Sequence, residues 1–494
     1  MIEINVLLRQ IRETIEDMSM LKDFPRTFWV ANGIELFERW AWYGFFMLFA
    51  NYLTGSSDAG GLEFSQAQKG ILMGVGTGIL YFLPVLTGAI ADRYGYRKVL
   101  FLAFLVYISA FILLPMFSTF TGVFLMYLYL AIGAALFKPI VSATVSKVTN
   151  PSNSSIGFGI YYMMVNIGAF MGPLVTLLFK SSSHLIFYVS AGFIAMNFIL
   201  LLFYKEPGRE ERSDAESLMH TFAAIFRNMG SILKDVKFLL FLLIIAGFWT
   251  MYNQLFFTLP VFISQWVDTS VLYNFFHQHV PFISENYSLA PGVMDPEFIT
   301  NMDSMFIILF QVLVSSIVMR LKPLRSMMSG FLVCAIGMSL TLAFNNVLYT
   351  IAALFFFSFG EMAGSPKITE YIGSIAPTDK KALYMGYSFI PMFLGNVLAG
   401  IISGSVYQHL SDKVTMVREL ADSKGLQIAD GLSNNAYFEE VAKQLNMTPD
   451  ALTQMLWQQY NPSRIWMVVL AIGVGAALLL YVYDCVTSRM KAEK

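Results

Sequence analysis

The chain has 494 residues, 56% of them hydrophobic and 13% charged, with a mean hydropathy of +0.60. These values exclude an ordinary soluble globular domain and point to a polytopic membrane protein. A formal net charge of −1 offers nucleic acid no basic field, and the only two cysteines, Cys334 and Cys485, fall in separate apolar stretches, which argues against a disulfide framework or a zinc site.

Residues 1–27 read as an N-terminal amphipathic segment. Ile4, Leu7, Leu8, Ile11, Ile15 and Met18 follow helical spacing, as for a helix lying on a membrane surface. Arg9, Arg12, Glu13, Glu16 and Asp17 interrupt any apolar signal core, so no cleavable signal is expected. A bilayer needs about 20 apolar residues per helix. Such stretches occur near 28–54, 66–90, 98–118, 120–146, 157–179 and 184–204, a first six-helix bundle over 28–204. A cytoplasmic linker, 205–237, precedes a second bundle over 238–486, with spans near 238–264, 302–321, 326–344, 348–375, 382–408 and 463–486 and a tail at 487–494. The sequence thus predicts an all-α membrane protein of twelve spans in two sets of six.

Basic residues set the orientation. Arg93, Arg97, Lys98, Lys147, Lys205, Arg209, Arg212, Arg227, Lys234, Lys237, Arg320, Lys322, Arg325, Lys380, Lys381, Arg489, Lys491 and Lys494 fall in alternate loops, while 265–300 has no Lys or Arg and the loop before span two has only Lys69. Both termini are therefore expected in the cytoplasm, with insertions 265–300 and 409–462 outside. Thr448, Pro449 and Asp450 start a capped helix in a small helical outer cap, whose pattern mimics a helix-turn-helix reader only by coincidence. His277 and His279 read as solvated loop residues, two ligands making a weak metal site.

Two halves joined by a charged loop suit an alternating-access carrier with substrate near the midplane. Pro84, Pro139, Pro173, Pro260, Pro366 and Pro391 sit inside spans, where proline permits bends.

The main functional signal is GIELFERWAWYG in span one. A charge at the centre of a membrane helix costs about 2.5 to 3.5 kcal/mol on insertion scales and is seldom kept without a use. Glu35, Glu38 and Arg39 share one helix face with Tyr43, and Glu35 precedes Arg39 by four residues, the order that favours an ion pair. Span four adds Lys138. Two carboxylates and two cations sum to zero, so a proton on Glu35 or Glu38 leaves a positive site for an anionic substrate group. Glu361 in span ten, with Ser365 one turn along, supplies an opposite pole for an ammonium. Lys367 and Glu370, three apart, can pair as a gate, and Asp92, Arg93 and Arg97 between spans two and three read as conformational control. No His pair of metal spacing and no Ser with a nearby His occurs in the spans, so no enzyme is expected.

ADRYGYRK resembles the loop signature of the major facilitator superfamily. GIELFERWAWYG resembles the ExxERFxYYG motif of its proton-dependent oligopeptide transporter family, and AALFKPIVS, FGIYYMMVNIGAFMGPL, GFWTMYNQ and GEMAGSPKITEYIGSIAP resemble that family's span-four, span-five, span-seven and span-ten motifs. The resemblance implies uptake of dipeptides and tripeptides driven by a proton gradient, without a cofactor, by a monomer in a plasma membrane, most simply a bacterial inner membrane. It implies that Glu35, Glu38 and Arg39 couple protons and that Arg39, Tyr43, Lys138, Asn166, Asn253, Glu361 and Ser365 meet substrate. Lys138 and Arg39 would lie near its carboxylate, Asn166 at its amide and Glu361 near its amine.

Two positions depart from the family pattern. Asn253 replaces the span-seven acid, and Phe46 replaces a base seven positions after the motif arginine. The expectation is an outer gate closed by packing instead of ions, and Trp40 and Trp42 are expected to make the pocket bulkier. These departures keep two alternatives open: a symporter for another small organic solute on the same scaffold, and a nutrient receptor that binds without transporting.

Overall fold

A computed structural model of the chain describes residues 23–150, 153–208, 218–231, 235–339, 344–376 and 381–492. Most of the amphipathic segment at 1–27, and part of the linker at 205–237, lie outside the described residues. Twelve long helical rods occur among them, one for each expected span. The first six are Arg26–Thr54, Gln66–Phe82 continued by Pro84–Tyr94, Tyr96–Leu113, Phe120–Val148, Ser154–Leu177 and Ser183–Phe203. The second six begin with Val236–Tyr252, continued by Gln254–Phe257 and Leu259–Trp266, and run on through Met302–Val318, Pro323–Ser339 and Val347–Ile375. The eleventh runs from Lys381–Gly386 through Phe389–Ile401 and a π-helical turn, Ile402–Val406, to Tyr407–Leu410, and the twelfth is Arg464–Ala492.

Among the described residues nine helices are long and apolar enough to cross a membrane, and span two, bent by 41°, makes a tenth. The other two rods miss that test for plain reasons. Span one carries Arg26, Glu35, Glu38 and Arg39, and span nine has only 17 residues. Large side chains such as Val312, 80% exposed, and Leu202, 70% exposed, face outward from the rods as a lipid-facing surface would. The chain is a multi-pass membrane protein.

The packing repeats between halves. Span one packs on spans five and six, span three on four and six, and span two on four. Shifting each number by six gives seven on eleven and twelve, nine on ten and twelve, and eight on ten, and all of these pairs also touch. Two equivalent six-helix bundles therefore face each other, joined chiefly where span two meets eleven and where five meets eight. Among its described residues the linker holds one 14-residue helix, Leu218–Ser231, too short to span a bilayer.

Local signals account for many helix ends. Ser65 and Gln68 form a reciprocal capping box before span two, and Thr119 caps span four through the amide of Gly122. Pro139, Pro173 and Pro366 lie inside continuous helices, whereas Pro84 and Pro260 begin new segments after breaks. In the cap, Thr448 accepts from the Ala451 amide at 3.2 Å, as its sequence predicts, and helices Lys413–Lys424, Asn434–Gln444 and Pro449–Tyr460 form a small domain. The 265–300 insertion also folds, into Ser270–His279, Pro281–Asn286, Pro296–Thr300 and an antiparallel hairpin of Ser288–Ala290 with Val293–Met294 around Gly292 at φ 87°. That hairpin is a local addition to an otherwise helical fold.

Candidate site between the two bundles

Span one places Glu35, Glu38 and Arg39 on one buried face, with Glu38 fully buried and Glu35 only 4% exposed. Arg39 grips Glu38 in a fork: Nε donates to Oε2 at 2.5 Å and an η nitrogen to Oε1 at 2.8 Å. The Tyr107 hydroxyl of span three donates to the same Oε1 at 2.5 Å. Glu35 is held less closely. Its Oε1 lies 3.4 Å from Arg39 Nε, and its Oε2 is buried without a hydrogen-bond partner, with Tyr161 beside it.

Glycines let span five reach this cluster. A Cβ on Gly168 would stand 2.6 Å from the Cβ of Arg39, and one on Gly172 would stand 3.0 Å from the amide nitrogen of Gly44. The GAFMG spacing thus allows a backbone approach that any larger residue forbids.

Lys138 joins the cluster electrostatically, since it acts on Arg39, Glu38 and Glu35, but no described carboxylate lies within 4.0 Å of its amine. It sits instead 3.7 Å from the centre of the Tyr81 ring. Tyr43 lies under Arg39 at 5.9 Å and also feels Glu361, which puts it between the poles of the two halves. Asn166 is half-buried on span five and donates to the Tyr162 carbonyl of its own helix at 2.9 Å.

In the second bundle Glu361 accepts from the Tyr252 hydroxyl at 3.0 Å, and its Oε2 is buried without a partner. Ser365 is half-buried one turn further on. Asn253 donates to its own helix at the Trp249 carbonyl, 2.8 Å away. Asp303, 4% exposed on span eight, accepts from Ser358 Oγ at 2.5 Å and acts on Glu361. Sequence reading missed Asp303, because an acid next to the expected start of a span looks like a solvated end.

Two expectations need correction. Lys69 is not a loop residue: it is fully buried in span two, where it donates to the Phe257 carbonyl at 2.8 Å. Trp40 stacks on Phe193 of span six, with ring centres 4.7 Å apart, and Trp42 stacks on Phe46 of its own helix at 5.2 Å. The closure at the cap end uses an ion pair as well as packing. Phe46 does meet Phe256 and Phe257, with ring centres 5.7 and 6.1 Å away, but Lys180 of the first half also bonds Asp295 of the second at 2.6 Å.

Hydrogen bonds joining the halves between described residues cluster at this end. Asn51 donates to Glu297 at 2.7 Å, Gln66 to Asp412 at 3.0 Å and Asn301 to the Phe170 carbonyl at 2.8 Å. At the other end, Lys367 pairs with Glu370 at 2.7 Å, as their spacing predicts. Asp92 accepts from the Tyr96 hydroxyl at 3.0 Å, while the start of span three is capped by Glu206, which accepts from the Tyr96 and Arg97 amides. Arg93 stands half-buried beside Asp92, and Arg97 is exposed. His277 stacks on Tyr273 and His279 on Phe275.

A family model described as Major Facilitator Superfamily matches residues 33–277. The chain has the fold of the major facilitator superfamily. Peptide transporters stand among the proteins it is similar to, in agreement with the resemblance carried by the motifs. The chain is 28% identical over 173 residues to an uncharacterized transporter, YclF, of Bacillus subtilis, covering 34% of this chain and 35% of that one. It is 26% identical over 240 residues to dipeptide and tripeptide permease A of Erwinia pyrifoliae, covering 47% and 45%. The matched stretches therefore span less than half of these relatives. In structure it is similar to peptide transporter POT crystallised with sulfate, with a TM-score of 0.68 at 16% identity over 94% of this chain and 95% of that chain. A nucleoside transporter, NupG, gives 0.66 at 13% identity over 93% and 100%, so the fold by itself does not choose the solute.

Proposed function

We propose that this chain is a proton-coupled symporter that imports dipeptides and tripeptides by alternating access between its two bundles. The observation that carries the reading is the pair of unlike poles: Arg39, Lys138 and two carboxylates in the first half, and Glu361 with Tyr252 in the second, with Tyr43 between them. A zwitterionic solute of peptide length suits such poles, its carboxylate toward Arg39 and Lys138 and its ammonium toward Glu361. The five motifs and the permeases and peptide transporters among the relatives support the same reading.

Coupling follows from the charge balance. With both carboxylates ionised, Arg39 is occupied and the cluster is neutral. A proton on Glu35 costs little local bonding, because its Oε2 has no partner to lose, and it leaves net positive charge for the substrate carboxylate. Proton and solute thus favour each other's binding. With the cap end outside, as the basic residues predict, the described state is closed to the outside, and Asp92, Arg93, Arg97, Lys367 and Glu370 stand at the cytoplasmic end as gating groups. Labelled dialanine supplied to proteoliposomes should accumulate under an inward proton gradient and not without one. Gradient-independent equilibration, or no uptake, would remove the assignment.

A further inference from the structure

Asp303 and Glu361 come from spans eight and ten and are tied to one short stretch of helix. Ser358, which donates to Asp303, and Glu361 lie three residues apart on span ten. Glu361 Oε2 has no hydrogen-bond partner, and Asp303, bonded to Ser358 one turn away on span ten, lies within electrostatic reach of Glu361. The other titratable groups facing this pair are neutral hydrogen-bonding ones: Tyr252 from span seven, Cys334 from span nine, Tyr43 from span one and Tyr162 from span five. Among the described residues no cation approaches either carboxylate within 4.0 Å. Two buried negative charges without a cation are expensive, and a site shared by two carboxyl groups lowers that cost by keeping a proton.

We propose that Asp303 and Glu361 share one proton in the ligand-free carrier, and that a substrate's ammonium displaces it. The inference rests on the proposed reading of Glu361 as the amine pole and extends it with a second proton site. Charge is conserved in the step: the pair goes from one negative charge to two, the arriving ammonium supplies the positive charge, and the proton leaves to water. Amine-bearing solutes would then release a proton in the second bundle while their carboxylates retain one in the first, so the net number carried depends on whether the solute has an amine. Substrate class and stoichiometry are linked at Asp303, which the first-half cluster alone does not provide.

Infrared spectroscopy of the ligand-free full chain in membranes tests the first part. Wild type at neutral pH should show a protonated-carboxyl stretch that is missing from D303N/E361Q. A spectrum unchanged by the double substitution overturns the proposal. Calorimetry in buffers of different ionisation enthalpy tests the second part, comparing dialanine with propionyl-alanine, which lacks the amine. Dialanine should release about one more proton than propionyl-alanine in wild type, and the difference should vanish in D303N, where the removed neighbour lets Glu361 ionise before ligand arrives. Equal counts for the two ligands in wild type overturn the displacement. If dialanine fails to bind at all, the peptide reading falls, while the infrared result still decides the shared proton.

Discussion

Glu35 and Glu38 stand three residues apart on one helix face and have different work to do. Glu38 accepts from both arms of the Arg39 fork and from Tyr107, whereas Glu35 keeps an unpartnered oxygen. Glu35→Gln should therefore abolish gradient-driven accumulation while leaving solute counterflow, which needs no net proton movement. Glu38→Gln should do the same and also lower thermal stability in detergent, because it strips Arg39 of its fork; breaking a buried pair costs on the order of 3–5 kcal/mol. A Glu38→Gln protein that melts like wild type and still accumulates solute would contradict the assignment. Tyr107→Phe removes only the hydroxyl. Hydrogen bonds to charged groups contribute about 1.5–3 kcal/mol, so this variant should melt earlier than wild type yet keep coupled uptake. The motif made the charges legible; the Tyr107 contact was not, because it comes from another helix at a separation of 69 residues.

Between elements, the seam of spans two and eleven is built from glycines on both helices. A Cβ on Gly70 would meet the backbone of Gly400 and lie 2.6 Å from Gly404 Cα, and one on Gly74 would lie 2.8 Å from Gly400 Cα. The halves close here because two backbones can touch, which side chains would prevent. Gly74→Leu should disfavour the closed cap end by about 1–3 kcal/mol of overpacking, or roughly 5- to 150-fold in population. Cross-linking of cysteines placed at Ala67 and Gln408, whose backbone and side chain bond at 3.0 Å, should fall accordingly; unchanged cross-linking would argue against the seam as a closure point. Individual glycines in these spans are visible in sequence, but which ones face each other is not, since glycine is common in membrane helices.

On the scale of the whole molecule, the cap bridges both bundles. Its helix Asn434–Gln444 begins on Glu63 of the first half, which accepts from the Asn434 amide at 2.8 Å and from the Ser57 amide at 2.8 Å, while Asp412 beside the cap bonds Gln265 of the second half at 2.9 Å. Burial pushes the Glu63 carboxyl up, but the Ser57 and Asn434 amides and the serine hydroxyls outweigh it and hold the group below its ordinary value of 4.5. A depressed carboxylate contributes its contact fully above the ordinary value and loses it only as pH falls through the lower one. Cap docking should therefore survive the mild external acidity that would drive a proton symporter. A cross-link between cysteines at Asp58 and Asn435 should form equally at neutral and mildly acid pH and weaken in Glu63→Gln. Weakening on mild acidification in wild type would contradict this account of the Glu63 contact.

Hydropathy, charge placement and five short motifs determined the twelve spans, their division into halves and the charged face of span one, because each is a local property repeated over whole helices. Tertiary structure alone decided which partners those charges found. Lys138 rests on Tyr81, Lys69 is buried against a carbonyl, Lys180 pairs across the halves, and Asp303 comes beside Glu361. Such contacts depend on helix rotation and on close approach between spans far apart in the chain, and neither is encoded in the period of any one helix.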